Sequence, residues 1–194
     1  MTNIIDGTRN DIMKKLDEAK LCEHNLIIYN DLPAFVEIYT QYAKEHLKRG
    51  DELIVILTCY ETPEKVRRNL SRAGIDVSGY EKENLLTIID SMKVYQKGRE
   101  SVSMFFRKAL DYAAGAGKKG IVAFGDMSSF MVSDRVEEML RYESTNPPNL
   151  DASTRIKAFC ALHRDDFKKL MPNQQEYLLN QHLKTLKVTV EIFC

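Results

Sequence analysis

The chain of 194 residues has no excess of charge of either sign, because 28 Lys and Arg residues balance 28 Asp and Glu residues. Because the charges balance, the overall charge gives no reason to expect binding to nucleic acid or to a membrane surface. No apolar run approaches the roughly 20 residues that a membrane-spanning helix requires. Residues 1–6 lack the charged and then apolar layout of a signal peptide. We therefore expect a cytoplasmic protein without direct contact to nucleic acid or membrane.

Cysteine is scarce, and its spacing argues against a metal site. The chain contains four cysteines: Cys22, Cys59, Cys160 and Cys194. Without a Cys-x-x-Cys pair, cysteines of a cytosolic chain are typically small buried side chains. The alternative joins Cys22-x-His24 and Cys160-x-x-His163 into one metal site, but neither pair has a standard structural-zinc spacing. The sequence thus predicts neither a metal nor a cofactor.

The sequence also lacks a phosphate-binding loop after its first predicted strand. Residues 26–29 form an apolar strand pattern, and an amphipathic helix over 33–48 follows and ends at Gly50. A working loop needs glycines, a Lys and a Ser or Thr for Mg²⁺. None of these stands at Asn30 or Asp31. The pattern predicts a degenerate P-loop in a protein that binds or senses and is not an enzyme.

The composition predicts one domain over residues 1–194. The chain is 44% hydrophobic and 29% charged, which is ordinary for a soluble globular domain of this size. No repeat or linker divides it. Apolar residues at helical spacing predict an opening helix over about 4–19. We therefore expect an N-terminal helical segment, 1–20, followed by the main part of the domain, 21–194.

Strands and helices alternate through that main part. Predicted strands lie at 25–29, 52–59, 85–89, 120–124, 156–162 and 187–193. Predicted helices lie at 33–48, 63–73, 101–116, 133–142, 165–169 and 173–184, with Thr62 as a cap. The run at 53–57 is apolar throughout, which suits a strand buried on both faces of a parallel sheet. The alternation predicts an α/β fold in three layers, a mostly parallel sheet with helices on both faces.

Candidate binding residues follow from the rule that ligands of parallel sheets bind beyond the carboxyl ends of the strands. Eight side chains at these ends are polar or aromatic: Tyr29, Asn30, Asp31, Tyr60, Glu61, Asp90, Asp126 and His163. Carboxylates crowded at one rim repel each other unless a cation, a bound base or protonation offsets them. Tyrosines there can stack on a flat ligand. We expect these residues to bind a small-molecule ligand and none to be catalytic.

Several segments resemble the KaiC-like, circadian-clock branch of the RecA ATPases. They are residues 47–52, Tyr60-Glu61-Thr62-Pro63, residues 73–76 and residues 84–90. Asp126 stands where the Walker-B aspartate of that family follows its strand. A pair of glutamates activates the attacking water in that branch, and here Tyr60 replaces the first. The resemblance implies a RecA-like, P-loop-NTPase-like fold with hydrolysis lost.

A closer resemblance is to the MEDS domain, a degenerate RecA-like sensory module of methanogens and methylotrophs named partly from the DcmR regulator. The motifs that carry it are residues 23–29, 125–127 and 141–143, the strand with Cys160, and His182 in the closing helix. Cys22-Glu23 departs from the Gly-Asp-like turn of the family. The resemblance covers roughly residues 20–185. It implies a non-catalytic sensory domain in signal transduction or transcriptional regulation. A small-molecule ligand and a partner signalling protein or regulator are implied with it.

Two other functions stay open. One is residual nucleotide binding or slow ATPase activity, with Glu61 and Asp126 around Mg²⁺. The other is a ligand-free assembly protein that forms homo-oligomers through its RecA-like faces.

His24, at the start of its strand, is read as a hydrogen-bonded structural residue, with a pH- or ligand-responsive role as the alternative.

Overall fold

The computed structural model describes residues 3–95, 98–146, 148–151 and 154–188. Over these residues seven strands form one sheet. They are β1 (Asn3–Gly7), β2 (His24–Tyr29), β3 (Glu52–Thr58), β4 (Leu86–Asp90), β5 (Gly120–Asp126), β6 (Ile156–His163) and β7 (Lys184–Val188). Their spatial order is β1-β7-β2-β6-β5-β3-β4, and all neighbours are parallel. The expected α/β parallel sheet is confirmed.

Helices cover both faces of this sheet. They are α1 (Arg9–Glu18), α2 (Leu32–Arg49), α3 (Pro63–Arg72), α4 (Val77–Lys82), α5 (Ser91–Tyr95), α6 (Arg99–Gly115), α7 (Ser128–Val132), α8 (Val136–Glu143), α9 (Arg164–Lys169) and α10 (Pro172–Asn180). Buried side chains of α1 to α4 join one hydrophobic core, and apolar side chains of α5 to α10 join the other. The three-layer expectation is therefore confirmed as well.

Alternation along the central strands divides side chains between the two cores. In β2, Ile27 and Tyr29 face α1 and α2, while Leu26 and Ile28 face the opposite core. All seven residues of β3 are buried, because both of its faces are covered. This is why its sequence is apolar without the alternation of a half-exposed strand.

Local signals place two helix ends as the sequence predicts. Thr62 caps α3 by accepting a hydrogen bond from the Lys65 amide at 3.2 Å, and Pro63 takes the first helical position. Helix α2 ends at Gly50, whose φ of +64° is the left-handed conformation that glycine adopts without strain. These signals act within a few residues, so they can be read from the local sequence.

The opening helix over 4–19 is wrong in its first part. Residues Asn3–Gly7 form β1, which pairs in parallel with β7 at the edge of the sheet. The helix begins only after Thr8, whose side chain and that of Asp11 form a reciprocal capping box. The N-terminal segment is thus a strand and a helix.

Other boundaries also differ from prediction. The helix expected over 133–142 begins only at Val136, as α8, and a separate helix, α7, ends before it at Val132, with Asp134 between them at a φ of +53°. Helix α10 ends at Asn180, so His182 lies in the following turn and not in a helix. Strand β7 begins at Lys184, earlier than expected, and the rest of the predicted strand, together with Cys194, lies outside the described residues. Helices α4, α5 and α7 are not among the predicted elements.

Candidate functional site

Four of the eight predicted residues meet at the carboxyl ends of the strands. The Tyr29 hydroxyl donates to Asp126 Oδ2 at 3.4 Å across β6. The His163 ring lies edge-on to both Tyr29 and Tyr60, with centroid distances of 5.3 and 6.1 Å. The Tyr60 hydroxyl also donates to the Asp166 carboxylate. The parallel sheet therefore brings together Tyr29, Tyr60, Asp126 and His163, which we call the strand rim.

Asp126 is the buried charge of the strand rim. Its side chain lies beneath the surface, and its Oδ1 accepts a hydrogen bond from the Ser128 amide at 3.0 Å. Burial raises the pKa of Asp126 to about 6, although bonds from Ser128 and Tyr29 favour the charged form. Burial, with the nearby Asp126 charge, raises the pKa of Tyr29 far above its usual range. The hydroxyl of Tyr29 therefore stays protonated and donates.

The other four predicted residues, Asn30, Asp31, Glu61 and Asp90, are not among the contacts that join the strand rim. Glu61 is held by Lys65 and by hydrogen bonds from Tyr39 and Asn69. Asp90 accepts from the Met92 amide in the first turn of α5.

Asn30 and Asp31 form the whole connection between β2 and α2. Asn30 lines a separate cavity beside Arg164, and Asp31 stands at the N-cap of α2 without a side-chain cap hydrogen bond. Phe35, in the first turn of α2, stacks on Tyr29 with ring centroids 4.6 Å apart and planes inclined by 8°. The strand end where a phosphate loop would begin is covered by aromatic packing.

A cavity of about 230 Å³ lies on the other face of the sheet, between the strands and α6. Its walls are mainly apolar, and they include Val102, Phe106 and Leu110 of α6 and Ala158 of β6. Several polar side chains also line it, among them those of His24, Arg107, Asn146 and Cys160. Sequence reasoning missed this cavity because it looked only at strand ends.

Four chemically reactive side chains converge at the His24 and Cys160 side of this cavity. They are His24, Glu143, Cys160 and His182, all buried, and one donor atom from each lies within 4.8 Å of the others. We call them the buried cluster. His24 Nε2 lies 3.2 Å from Cys160 Sγ and 3.5 Å from Glu143 Oε2. His182 Nε2 lies 3.4 Å from the same carboxylate oxygen.

The buried cluster joins only part of the metal set considered from sequence. His24 and Cys160 belong to it, whereas Cys22 and His163 do not. Glu143 and His182 replace them, and these come from the end of α8 and the turn after α10. The sequence points to Glu143 and His182 only through the family resemblance, because both residues belong to its motifs.

Burial dominates the electrostatics of the buried cluster. It raises the pKa of the Glu143 carboxyl to about 8 and lowers that of the His182 imidazole. Burial, together with the nearby Glu143, also raises the pKa of the Cys160 thiol. All three shifts favour uncharged forms, as expected for ionisable groups without contact to water.

Comparison with known proteins shows the family to which the chain belongs. The family model of the MEthanogen/methylotroph, DcmR Sensory domain (MEDS) matches residues 23–182. The chain belongs to the MEDS family. The match runs from just before His24 to His182, so it spans every member of the buried cluster. Membership gives this MEDS domain a sensory role in general terms.

A solved structure supports the fold of the MEDS domain. It is a KaiC-like protein from the hyperthermophilic archaeon Pyrococcus horikoshii OT3, 15% identical, with a TM-score of 0.56 over 90% of this chain and 75% of that chain. The RecA-like, KaiC-like fold expected from sequence is thereby confirmed. No curated protein matches the chain. Among the described residues, no helix is long and apolar enough to cross a membrane.

Proposed function

We propose that this MEDS domain is a non-catalytic sensor that binds a small, weakly polar molecule in the cavity beneath α6. The observation that carries the proposal is the cavity itself, lined mainly by apolar surface with several polar side chains among the lining residues. Ligand sites in proteins share this chemistry, an apolar lining with a small number of placed polar groups. The family's sensory role supplies the biological context.

The dimensions of the cavity limit its ligand. A water molecule takes roughly 30 Å³ of liquid, so about 230 Å³ suits a ligand on the order of ten non-hydrogen atoms. Ser103, Arg107 and Thr154 supply polar side chains to the lining, while Phe106 and Ile156 offer only apolar contact. A nucleotide exceeds this size. A small neutral or weakly polar organic compound fits it.

Helix α6 connects the cavity to the surface. Val102 and Leu110 line the cavity, whereas Met104 and Tyr112 of the same helix are 45% and 41% exposed. A ligand that pushes against the inner side chains displaces the outer ones, because a helix of this length moves as a unit. We infer that the outer face of α6 passes the signal to a partner signalling protein or regulator.

The strand rim is the alternative location for a ligand, and it is less well supported. Tyr29, Asp126 and Glu61 already have internal hydrogen-bond partners. Only Asn30 and Asp31 stand between β2 and α2, too few for a loop that wraps phosphates. Residual nucleotide binding, slow ATPase activity and ligand-free assembly therefore stay as predictions that no described contact favours.

Nuclear magnetic resonance with a panel of small organic compounds tests the proposal. We expect amide shifts at Val102, Phe106 and Ala158 for compounds of about ten non-hydrogen atoms. The variant Ala158→Leu fills the cavity and should weaken binding at least tenfold. The matched change Ala114→Leu, on the exposed side of α6, should leave binding unchanged. Shifts confined to Tyr29, Tyr60 and Asp126 would place the ligand at the strand rim and overturn the proposal.

A further inference from the structure

The buried cluster has the donor spacing of a tetrahedral metal site. In such a site, bonds of about 2.0–2.3 Å place neighbouring donor atoms about 3.3–3.8 Å apart. The observed separations are 3.2 Å from His24 Nε2 to Cys160 Sγ, 3.4 Å from His182 Nε2 to Glu143 Oε2 and 3.9 Å from Cys160 Sγ to Glu143 Oε1. The first two distances lie close to that range, the third is made by the other carboxylate oxygen of Glu143, and one donor atom from each of the four residues lies within 4.8 Å of the others.

Both histidines are oriented by backbone carbonyl groups. His24 Nδ1 donates to the Asn146 carbonyl oxygen at 3.0 Å, and His182 Nδ1 donates to that of Leu178 at 2.8 Å. A carbonyl oxygen only accepts, so each ring carries its proton on Nδ1 and turns the Nε2 lone pair toward the cluster. Metal-binding histidines are held in this way, by a hydrogen bond from the ring nitrogen that does not bind the metal.

The inner atoms of the cluster are not all hydrogen-bonded. Two imidazole nitrogens face the Glu143 carboxyl and the Cys160 thiol, and His182 Nε2 and Glu143 Oε2 form no hydrogen bond although they lie 3.4 Å apart. Within the described residues, Glu143 Oε2 and His182 Nε2 are fully buried and have no hydrogen-bond partner. Unpaired buried acceptors are costly, and one cation placed among them satisfies both together.

The charges of the donors match a divalent ion. A thiolate from Cys160 and a carboxylate from Glu143 carry two negative charges, and the two imidazoles are neutral. A dication makes the site neutral overall, which buried charge requires. A set of two nitrogens, one sulfur and one oxygen suits zinc and related transition metals, and it does not suit Mg²⁺ or Ca²⁺.

We propose that His24, Glu143, Cys160 and His182 bind one divalent transition-metal ion, with Zn²⁺ as the best-matched ion. Binding releases the thiol proton of Cys160 and any proton on Glu143 to solvent. The ion joins β2, β6, α8 and the turn after α10 at one point. The proposal rests on the cluster alone and does not depend on which molecule the cavity takes.

Metal analysis and cobalt spectroscopy of the whole chain test this proposal. We expect about one zinc ion for each purified chain. Chelator-treated protein titrated with Co²⁺ should show the intense thiolate-to-cobalt charge-transfer band and the strong visible bands of tetrahedral cobalt. Zinc should also raise the melting temperature of the stripped protein, because a ligand that binds only the folded state stabilises it.

Matched variants assign the donors. Cys160→Ser and Glu143→Gln preserve side-chain size, and each should weaken Co²⁺ binding by more than the roughly 10–100-fold typical of losing an outer-shell partner. The control Cys59→Ser removes a half-buried thiol outside the cluster and should keep the charge-transfer band. If wild-type protein is purified without metal and shows neither the band nor a thermal shift with Co²⁺ or Zn²⁺, the cluster is a hydrogen-bonded network and the proposal is wrong. Loss of the band in Cys59→Ser with retention in Cys160→Ser would overturn it equally.

Discussion

Tyr29 and Phe35 stack face to face across the short turn between β2 and α2, with ring centroids 4.6 Å apart. In a P-loop protein the equivalent space after the first strand is a loop of backbone amides around phosphate. Here two residues make the connection, and an aromatic pair fills the space beside it. The same aromatic pair joins β2 to the core beneath α2.

The first prediction is that the chain does not hold a triphosphate in reactive geometry. Calorimetry with ATP and Mg²⁺ should give no binding heat, and phosphate release should stay at the rate of buffer alone. The reason is that the connection formed by Asn30 and Asp31 supplies neither the amide donors nor the Lys of a phosphate-binding loop. ATP cleavage at an enzyme-like rate, abolished by Glu61→Gln, would contradict it and favour the slow-ATPase alternative.

A second prediction concerns Phe35, which is 4% exposed. Phe35→Ala removes the stack on Tyr29 and leaves a cavity at the start of α2, so the free energy of unfolding should fall by about 3–5 kcal/mol. Urea denaturation measures the change. Val132→Ala is the control, because Val132 is 57% exposed and such a change stays within about 0.5 kcal/mol. Equal effects of the two substitutions would mean that the stack contributes nothing.

The third prediction is a pH dependence that originates in Asp126. Its pKa rises from 3.8 to about 6 in the folded chain because of burial. The folded state therefore binds the proton more tightly than the unfolded state. The resulting stability is fully present below about pH 4 and is lost as the pH rises through about 6.

Asp126→Asn is the variant that tests this dependence. At pH 7 it should raise the free energy of unfolding by about 1–3 kcal/mol, since a shift of one unit corresponds to 1.36 kcal/mol. It should also flatten the stability profile between about pH 4 and 6. Denaturation at a series of pH values gives both quantities. A variant that is less stable than wild type at pH 7, with an unchanged slope, would show that the charged carboxylate stabilises the fold.

The sequence is sufficient for the central sheet and its β4 edge but not for its β1 edge. Strands such as β3 carry a long apolar run, whose burial on both faces follows from composition alone. Strand β1 offers only Ile4 and Ile5, and its identity comes from pairing with β7, a partner about 180 residues distant. Intrinsic propensity contains no information about so distant a partner, so local patterns assign this segment to the helix that follows.

The buried cluster was beyond local reasoning for a similar reason. His24, Cys160 and His182 are separated by long stretches of chain, and no short spacing links them. Only parallel pairing of β2 with β6 brings the first two together. The family resemblance was the one sequence signal that contained all the members, and it did so without indicating contact.

The last prediction concerns the buried ion pair of Lys157 and Glu52, whose atoms Nζ and Oε1 lie 3.0 Å apart with both residues 6% exposed. Lys157→Met leaves the Glu52 carboxylate buried with only His46 beside it, so it should cost about 3–5 kcal/mol. Adding Glu52→Gln should recover part of this loss, with a coupling of about 1–3 kcal/mol in a double-mutant cycle. Lys119→Met breaks the exposed pair with Asp51 and should cost at most about 1 kcal/mol. Chemical denaturation distinguishes the cases, and similar losses at Lys157 and Lys119 would show that burial does not govern the strength of these pairs.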